Sequence, residues 1–345
     1  MEKENGSAAH ISAFTEVDQL FWVIGSKNSH KIIADTKFQA ITQDTWKNDV
    51  SYRFGVQGDY AQNIIYLWRQ IWDTLTKENQ AAIKKSMTQD GLTFVGEAVF
   101  KDDQHLKRYF KDDHPSQGDI WFFAMTQPAS LEEGLLAKTP QKGLDLFKQY
   151  GLKHAPMFES VNINPSDFSF ENGQTTITSQ AYSDLVKKIA QMQNSEGVAL
   201  YMTLVDKQDT EKTIDLKKCK AADYTLMRKV REHVVNGWHL APGVISDKLD
   251  NSINEFEKAQ QEVLQNVLAQ KKAHYEALAT FFKESGILVY TTGKKGKKSI
   301  EAARGEAIRS QWVSIEEQLK DPNKKHVKLK VGEEELYFPK PSTTQ

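Results

Sequence analysis

The residue with the clearest chemical potential stands near the start of the chain. Lys3-Glu4-Asn5-Gly6 places a lysine three positions ahead of a glycine. A lysine that has lost its proton can attack phosphorus and carry a nucleotide on a phosphoramidate bond. The spacing alone has little weight, because Lys148-Gln149-Tyr150-Gly151 and Lys283-Glu284-Ser285-Gly286 repeat it. Such chemistry also needs company. Neighbouring cations help the lysine shed its proton. Mg2+ and further lysines spread the charge that builds on a reacting triphosphate, so carboxylates for the metal are needed as well. A ribonucleotide asks for an acceptor at its ribose hydroxyls and an aromatic face for its base.

The residues after Lys3 supply these parts in turn. Ser26-Lys27-Asn28-Ser29 follows an apolar run, and Glu97 stands inside the apolar stretch Phe94-Val95-Gly96-Glu97-Ala98-Val99-Phe100. Asp119-Ile120-Trp121-Phe122-Phe123 comes next, where strand alternation puts Trp121 and Phe123 on one face. Glu196-Gly197-Val198-Ala199-Leu200 precedes Leu216-Lys217-Lys218-Cys219-Lys220, whose Lys218 and Lys220 also share a face, with Tyr224 four residues on. Taken singly, each has an ordinary reading. Glutamates and lysines are mostly solvated, a lysine pair suits a strand edge, and Phe123 and Tyr224 can simply pack in a core.

As an ordered set, these residues resemble motifs I, III, IIIa, IV and V of the covalent ATP-dependent polynucleotide ligases. They look most like the T4-type RNA ligase 1 family and the ligase domain of fungal-type tRNA ligases. Ser26-Lys27-Asn28-Ser29 and the run Lys218-Cys219-Lys220-Ala221-Ala222-Asp223-Tyr224-Thr225-Leu226-Met227-Arg228 favour that branch. The resemblance spans roughly residues 1–235 and implies an ATP- and Mg2+-dependent enzyme acting on RNA ends. Lys3 would take AMP from ATP and pass it to a 5′-phosphate, and a 3′-OH would then seal the strand. Carried over by position, Glu97 would hold the ribose and Phe123 would stack on adenine. Glu196 would bind the metal through water, Lys218 and Lys220 would contact the α-phosphate, and Lys27 would meet phosphates or RNA. Gly6 would let the backbone approach the nucleotide closely. The resemblance also implies strands ahead of the first motif that this sequence does not include. DNA ligases and mRNA-capping guanylyltransferases share the motif logic. The serine-lysine element, and a long helical pattern where OB-like strands would stand, count against both. A non-catalytic RNA-binding module on the same fold remains the alternative from another class.

Composition sets the outer bounds. At 345 residues, 39% hydrophobic and 26% charged, the chain has the make-up of a soluble globular protein of two or three domains. No run approaches the roughly 18 apolar residues of a membrane span, nor is there a signal-peptide pattern, so the expected place is intracellular, cytoplasmic or nuclear. The single cysteine, Cys219, excludes an internal disulfide and a cysteine-built zinc site. A net charge of −1 leaves polyanion binding to local patches such as Lys294-Lys295-Gly296-Lys297-Lys298 and Lys324-Lys325-His326 with Lys328 and Lys330. The first of these fails as a phosphate-binding loop, because Thr291 stands where that spacing needs glycine. The histidines are scattered and show no metal-ligand spacing.

The elements that must position these groups follow from periodicity. Short apolar runs predict strands at 19–26, 92–100, 120–125, 197–205 and 213–219, with a loop after the first of them. Helical spacing of Ile64, Ile65, Trp68, Ile71, Trp72 and Leu75 predicts a helix over about 60–75, and further helices are expected near 141–150, 180–193 and 253–282. A terminal hairpin should turn at Gly332. Strands and helices in irregular order imply an α+β fold. The resemblance refines this to a nucleotidyltransferase (ATP-grasp-like) core of antiparallel sheets flanked by helices; the breakers Asn236-Gly237-Trp238 and Pro242-Gly243 place a domain boundary near 240, so this core is expected over 1–240 and a mainly helical domain with basic clusters over 241–345.

Overall fold

A computed structural model describes residues 1–4, 6–42, 59–100, 118–127, 136–171, 174–205, 211–236, 249–251, 253, 254, 256, 258–292, 298–332 and 334–340. The fold is α+β, and the chain divides into two compact units. The first holds the described residues up to Met157 together with Ala199–Lys217. The second holds those from Phe158 to Val198 and from Lys218 onward. Among the described residues no helix is long and apolar enough to cross a membrane.

The first unit is built on a five-stranded antiparallel sheet in the order β3-β2-β1-β4-β5, from β1 (Ser7–Glu16), β2 (Gln19–Gly25), β3 (His30–Ala34), β4 (Thr93–Phe100) and β5 (Gly118–Thr126). Alternate side chains separate its two faces. Ala9, Ile11, Ala13, Trp22, Ile24, Phe94, Ala98, Ile120 and Phe122 are buried on one. Helices α1 (Asp35–Gln39), α2 (Tyr60–Thr74), α3 (Lys77–Thr88) and α4 (Pro140–Gln149) pack on the sheet. Trp22 lies at the centre of this core, with its ring 5.1 Å from Phe38 and 5.0 Å from Trp72. Its indole N–H donates to Asp35 Oδ1 at 2.8 Å, so even this buried polar atom has a partner. The tryptophans of α2 are therefore core residues, as their spacing implies. Asp59 and Thr76 cap α2 and α3 by accepting from Gln62 and Asn79 backbone N–H groups.

The opposite sheet face carries the intervening residues Ala8, His10, Ser12, Phe14, Phe21, Val23, Glu97 and Trp121, all half-buried except the exposed Phe14. This is the face on which the candidate chemistry is displayed.

Two strands of that sheet are missing from the periodicity reading. β1 buries two alanines and one isoleucine, a weak apolar signal, and the β1–β2 turn uses Val17 and Asp18 at φ 47° and 60° rather than glycine. The loop expected after Gly25 is only a tight turn, closed by Ser26 N–H donating to the Ser29 carbonyl at 2.8 Å, and β3 follows at once.

The second unit contains α5 (Gln180–Ala190), α6 (Ala222–Val235), α7 (Lys258–Glu284), α8 (Ala302–Ser310) and α9 (Trp312–Lys320), with the β-hairpin pairs β6 (Phe168–Glu171) with β7 (Gln174–Ile177), β10 (Tyr290–Thr292) with β11 (Lys298–Ile300), and β12 (His326–Val331) with β13 (Glu334–Pro339). Helix α7 packs on α5 and α6, and Phe282 stacks on Trp312 at 5.2 Å within their shared core. The helix expected from 253 begins at Lys258. Gly332, at φ 62°, occupies the turn of the terminal hairpin. Strands β8 (Gly197–Val205) and β9 (Glu211–Lys220) pair with each other, and their residues are shared between the two units. The boundary expected near 240, the breakers Gly237, Trp238, Pro242 and Gly243, and the lysine cluster at Lys294, Lys295 and Lys297 lie outside the described residues.

Candidate functional site

In the first unit the segment before β1 is tied down on three sides. Met1 exchanges two backbone hydrogen bonds with Ala199, Glu2 N–H donates to the Pro156 carbonyl at 3.0 Å, and Gly6 N–H donates to Glu97 Oε1 at 3.2 Å. Lys3 is thereby held with its Nζ 3.3 Å from the same Glu97 oxygen and 3.0 Å from the Glu4 carbonyl. The two side chains are only 16% and 13% exposed, so this is a largely enclosed ion pair. Residues 94 positions apart meet because β1 and β4 are neighbours in the sheet. Gly6 passes so close to the Ala98 carbonyl that a Cβ would have no room.

The residue directly opposite Glu97 on β5 is Trp121. Register shifts between Val95 and Gly96, which leaves Phe123 without a ladder partner, and Phe123 packs partly against the apolar core. Lys153 Nζ lies 4.9 Å from the Trp121 ring centroid and 2.5 Å from Asp119 Oδ2, a cation over an aromatic face anchored by a carboxylate. Backbone bonds from Phe122 N–H to the Lys153 carbonyl and from Ala155 N–H to the Phe122 carbonyl hold that lysine beside β5. The aromatic aligned with Glu97 is thus Trp121, and alternation alone could not choose between it and Phe123.

Lys27 is exposed in the β2–β3 turn. Because His10 pairs with Gly25 and Ser7 with Ala98, this turn falls at the same sheet end as the Lys3–Gly6 segment, though no described contact joins Lys27 to Lys3.

In the second unit Glu196 is buried, with Lys220 Nζ 3.9 Å from its Oε1. Gly197 makes this meeting possible. Its φ of 128° suits glycine, and a Cβ there would come within 2.2 Å of the Cys219 carbonyl, so the start of β8 can lie directly against the end of β9. Ala221 N–H closes the contact on the Glu196 carbonyl at 3.1 Å. Tyr224, on the first turn of α6, hydrogen-bonds to Glu196 and has its ring 5.8 Å from Lys220 Nζ. Burial, then the Glu196 charge, push this phenol well above its ordinary value. On β9, Cys219 is buried while Lys218 is exposed and Lys220 half-buried, which places both lysines on the face away from Cys219.

A family model described as a domain of unknown function, DUF7920, matches residues 1–231. The chain belongs to that family. The matched span includes every candidate residue from Lys3 to Tyr224 and ends within α6. No curated protein matches this sequence.

Taken together, the first unit offers an enclosed amine on a carboxylate beside an indole. The second offers a buried carboxylate beside a lysine and a phenol. Among the described residues no three His, Cys, Asp or Glu side chains converge as a ready-made metal centre. Mg2+ in nucleotide chemistry is commonly held by one or two carboxylates plus the substrate phosphates, so Glu196 is a suitable donor for it without such a cluster.

Proposed function

We propose that this chain is a covalent nucleotidyltransferase of the RNA ligase type, with Lys3 as the residue that carries AMP. The supporting observation is the contact of Lys3 with Glu97 and of Glu97 with Gly6. In the motif series read from the sequence these are the first and third elements, and the fold brings them onto one oxygen. In this reading Lys3 Nζ, once deprotonated, attacks the α-phosphorus of ATP. A P–N bond forms, the P–O bond to pyrophosphate breaks, and pyrophosphate leaves with the electron pair. A ribose hydroxyl donating to Glu97 would take the place that Lys3 holds now and release the amine toward the phosphate. AMP then passes to the 5′-phosphate of an RNA end, and a 3′-OH displaces it to join the strands.

By the motif order alone, Lys218 and Lys220 would offset charge on the α-phosphate, and Glu196 would bind Mg2+ through water, which lowers the cost of charge on the departing pyrophosphate. Lys27, exposed at the sheet end where Lys3 lies, is free to meet phosphates of the nucleotide or the RNA. Trp121 rather than Phe123 is the better base platform, since it stands directly across from the residue proposed to hold the ribose.

The test is intact-mass measurement after incubation with Mg2+ and either ATP or GTP. A gain of one AMP that disappears in Lys3→Ala supports the reading, and a gain of GMP would instead favour capping chemistry. No adduct with either nucleotide would leave a non-catalytic RNA-binding role as the better account. Sealing assays on 5′-phosphate RNA and DNA then identify the polynucleotide.

A further inference from the structure

Outside the nucleotide-related residues, one arrangement on the half-buried sheet face has no role in the proposed transfer. His10 on β1 and His30 on β3 both face the same residue of the intervening strand, Gly25, in a single cross-strand row. Side chains two strands apart do not ordinarily touch, because the central residue stands between them. Here the central residue has no side chain, and the imidazoles meet over it. Their rings stack with centroids 5.2 Å apart and planes 18° from parallel, and His10 Nδ1 lies 3.1 Å from His30 Nε2. A Cβ on Gly25 would strike the His30 ring at 2.8 Å and the Ser29 carbonyl at 2.2 Å, so the gap depends on glycine.

We propose that His10 and His30 form a two-histidine site for a divalent transition-metal ion such as Zn2+, Co2+ or Ni2+. Two imidazole nitrogens bound to one such ion at about 2.0–2.1 Å stand about 2.9–3.4 Å apart, according to whether the geometry is octahedral or tetrahedral. The observed separation falls inside that window with both rings already side by side. Imidazole is a preferred donor for these ions, and only the neutral ring binds. The metal would take the place of the hydrogen bond between the rings, each ring binding as the neutral tautomer that carries its proton on the nitrogen away from the metal, and water or a bound anion would complete the coordination. This site is distinct from the Mg2+ proposed at Glu196, and it stands or falls independently of the ligase reading.

The experiment uses the full chain without a histidine tag, stripped with chelator and titrated with Co2+ and Zn2+ by calorimetry, with the visible absorption of Co2+ as a second readout. Wild type should bind one equivalent more than His30→Ala and than His10→Ala, and the Co2+ band assigned to that equivalent should vanish in both. His30 is exposed at a strand end, so its variant is expected to fold and decides the matter if His10→Ala does not. Equal stoichiometry in wild type and His30→Ala, or no Co2+ band in wild type, would overturn the proposal.

Discussion

Replacing Glu97 with glutamine isolates the electrostatic part of the Lys3 site. Glutamine keeps an oxygen that can accept from Gly6 N–H, so the loop before β1 retains its tie, while the charge facing Lys3 is lost. Lys3→Met removes the ammonium but keeps the apolar stem. The four proteins of this double-mutant cycle give the coupling between the two side chains, free of effects that each change has elsewhere. Exposed ion pairs typically couple by about 0.2–1 kcal/mol, whereas breaking a fully buried pair costs about 3–5 kcal/mol. With side chains 16% and 13% exposed at a separation of 3.3 Å, the Lys3–Glu97 pair belongs between these limits. A coupling of about 1–2 kcal/mol is expected. Urea unfolding followed by tryptophan fluorescence is the appropriate assay, because Trp22, Trp68 and Trp72 report the core of the same unit. The coupling should persist at high salt, since enclosed charges are poorly screened. A value below about 0.3 kcal/mol would refute the claim that the fold holds these two groups as an enclosed pair.

Two further outcomes are expected, one in each unit. If Trp121 carries the nucleobase, Trp121→Ala should raise the KM for ATP in lysyl-AMP formation by roughly tenfold, in line with stacking worth about 1–3 kcal/mol, and Trp121→Phe should recover most of it. Phe123→Ala should mainly lower stability, and an effect on KM confined to Phe123 would reverse the assignment. Glu316 provides a pH test in the second unit. Burial pushes its carboxyl up, but hydrogen bonds from His274 and Lys320 outweigh this and hold it below its ordinary value of 4.5. A carboxyl depressed in the folded state stabilises fully above its unfolded value, and that contribution fades as pH falls through the folded value. Glu316→Gln should therefore flatten the acid limb of the melting temperature against pH, and an unchanged acid limb would contradict the described contacts.

Much of the secondary structure was written locally. The apolar runs at Gln19–Gly25, Thr93–Phe100 and Gly118–Thr126 and the helical stripe of α2 were legible because burial of one face imposes a period on neighbouring residues. The hairpin at Gly332 was legible because the turn needs a positive φ. β1 and β3 were not. One buries small residues and turns through Val17-Asp18, while the other is a five-residue strand whose Ile32 remains exposed, so neither had a strong periodic signal.

By itself the sequence determined which chemical groups are present and in what order, namely a lysine before a glycine, glutamates in apolar runs, and paired lysines ahead of a tyrosine. Only the tertiary structure decided which of them meet. The contact of Lys3 with Glu97 needs β1 beside β4, the alignment of Trp121 with Glu97 depends on a register shift at Phe123, and the histidine pair needs β1 and β3 to flank Gly25. Strand order and register are set by contacts between residues far apart in the chain, and a one-residue slip would send each of these side chains to the opposite face.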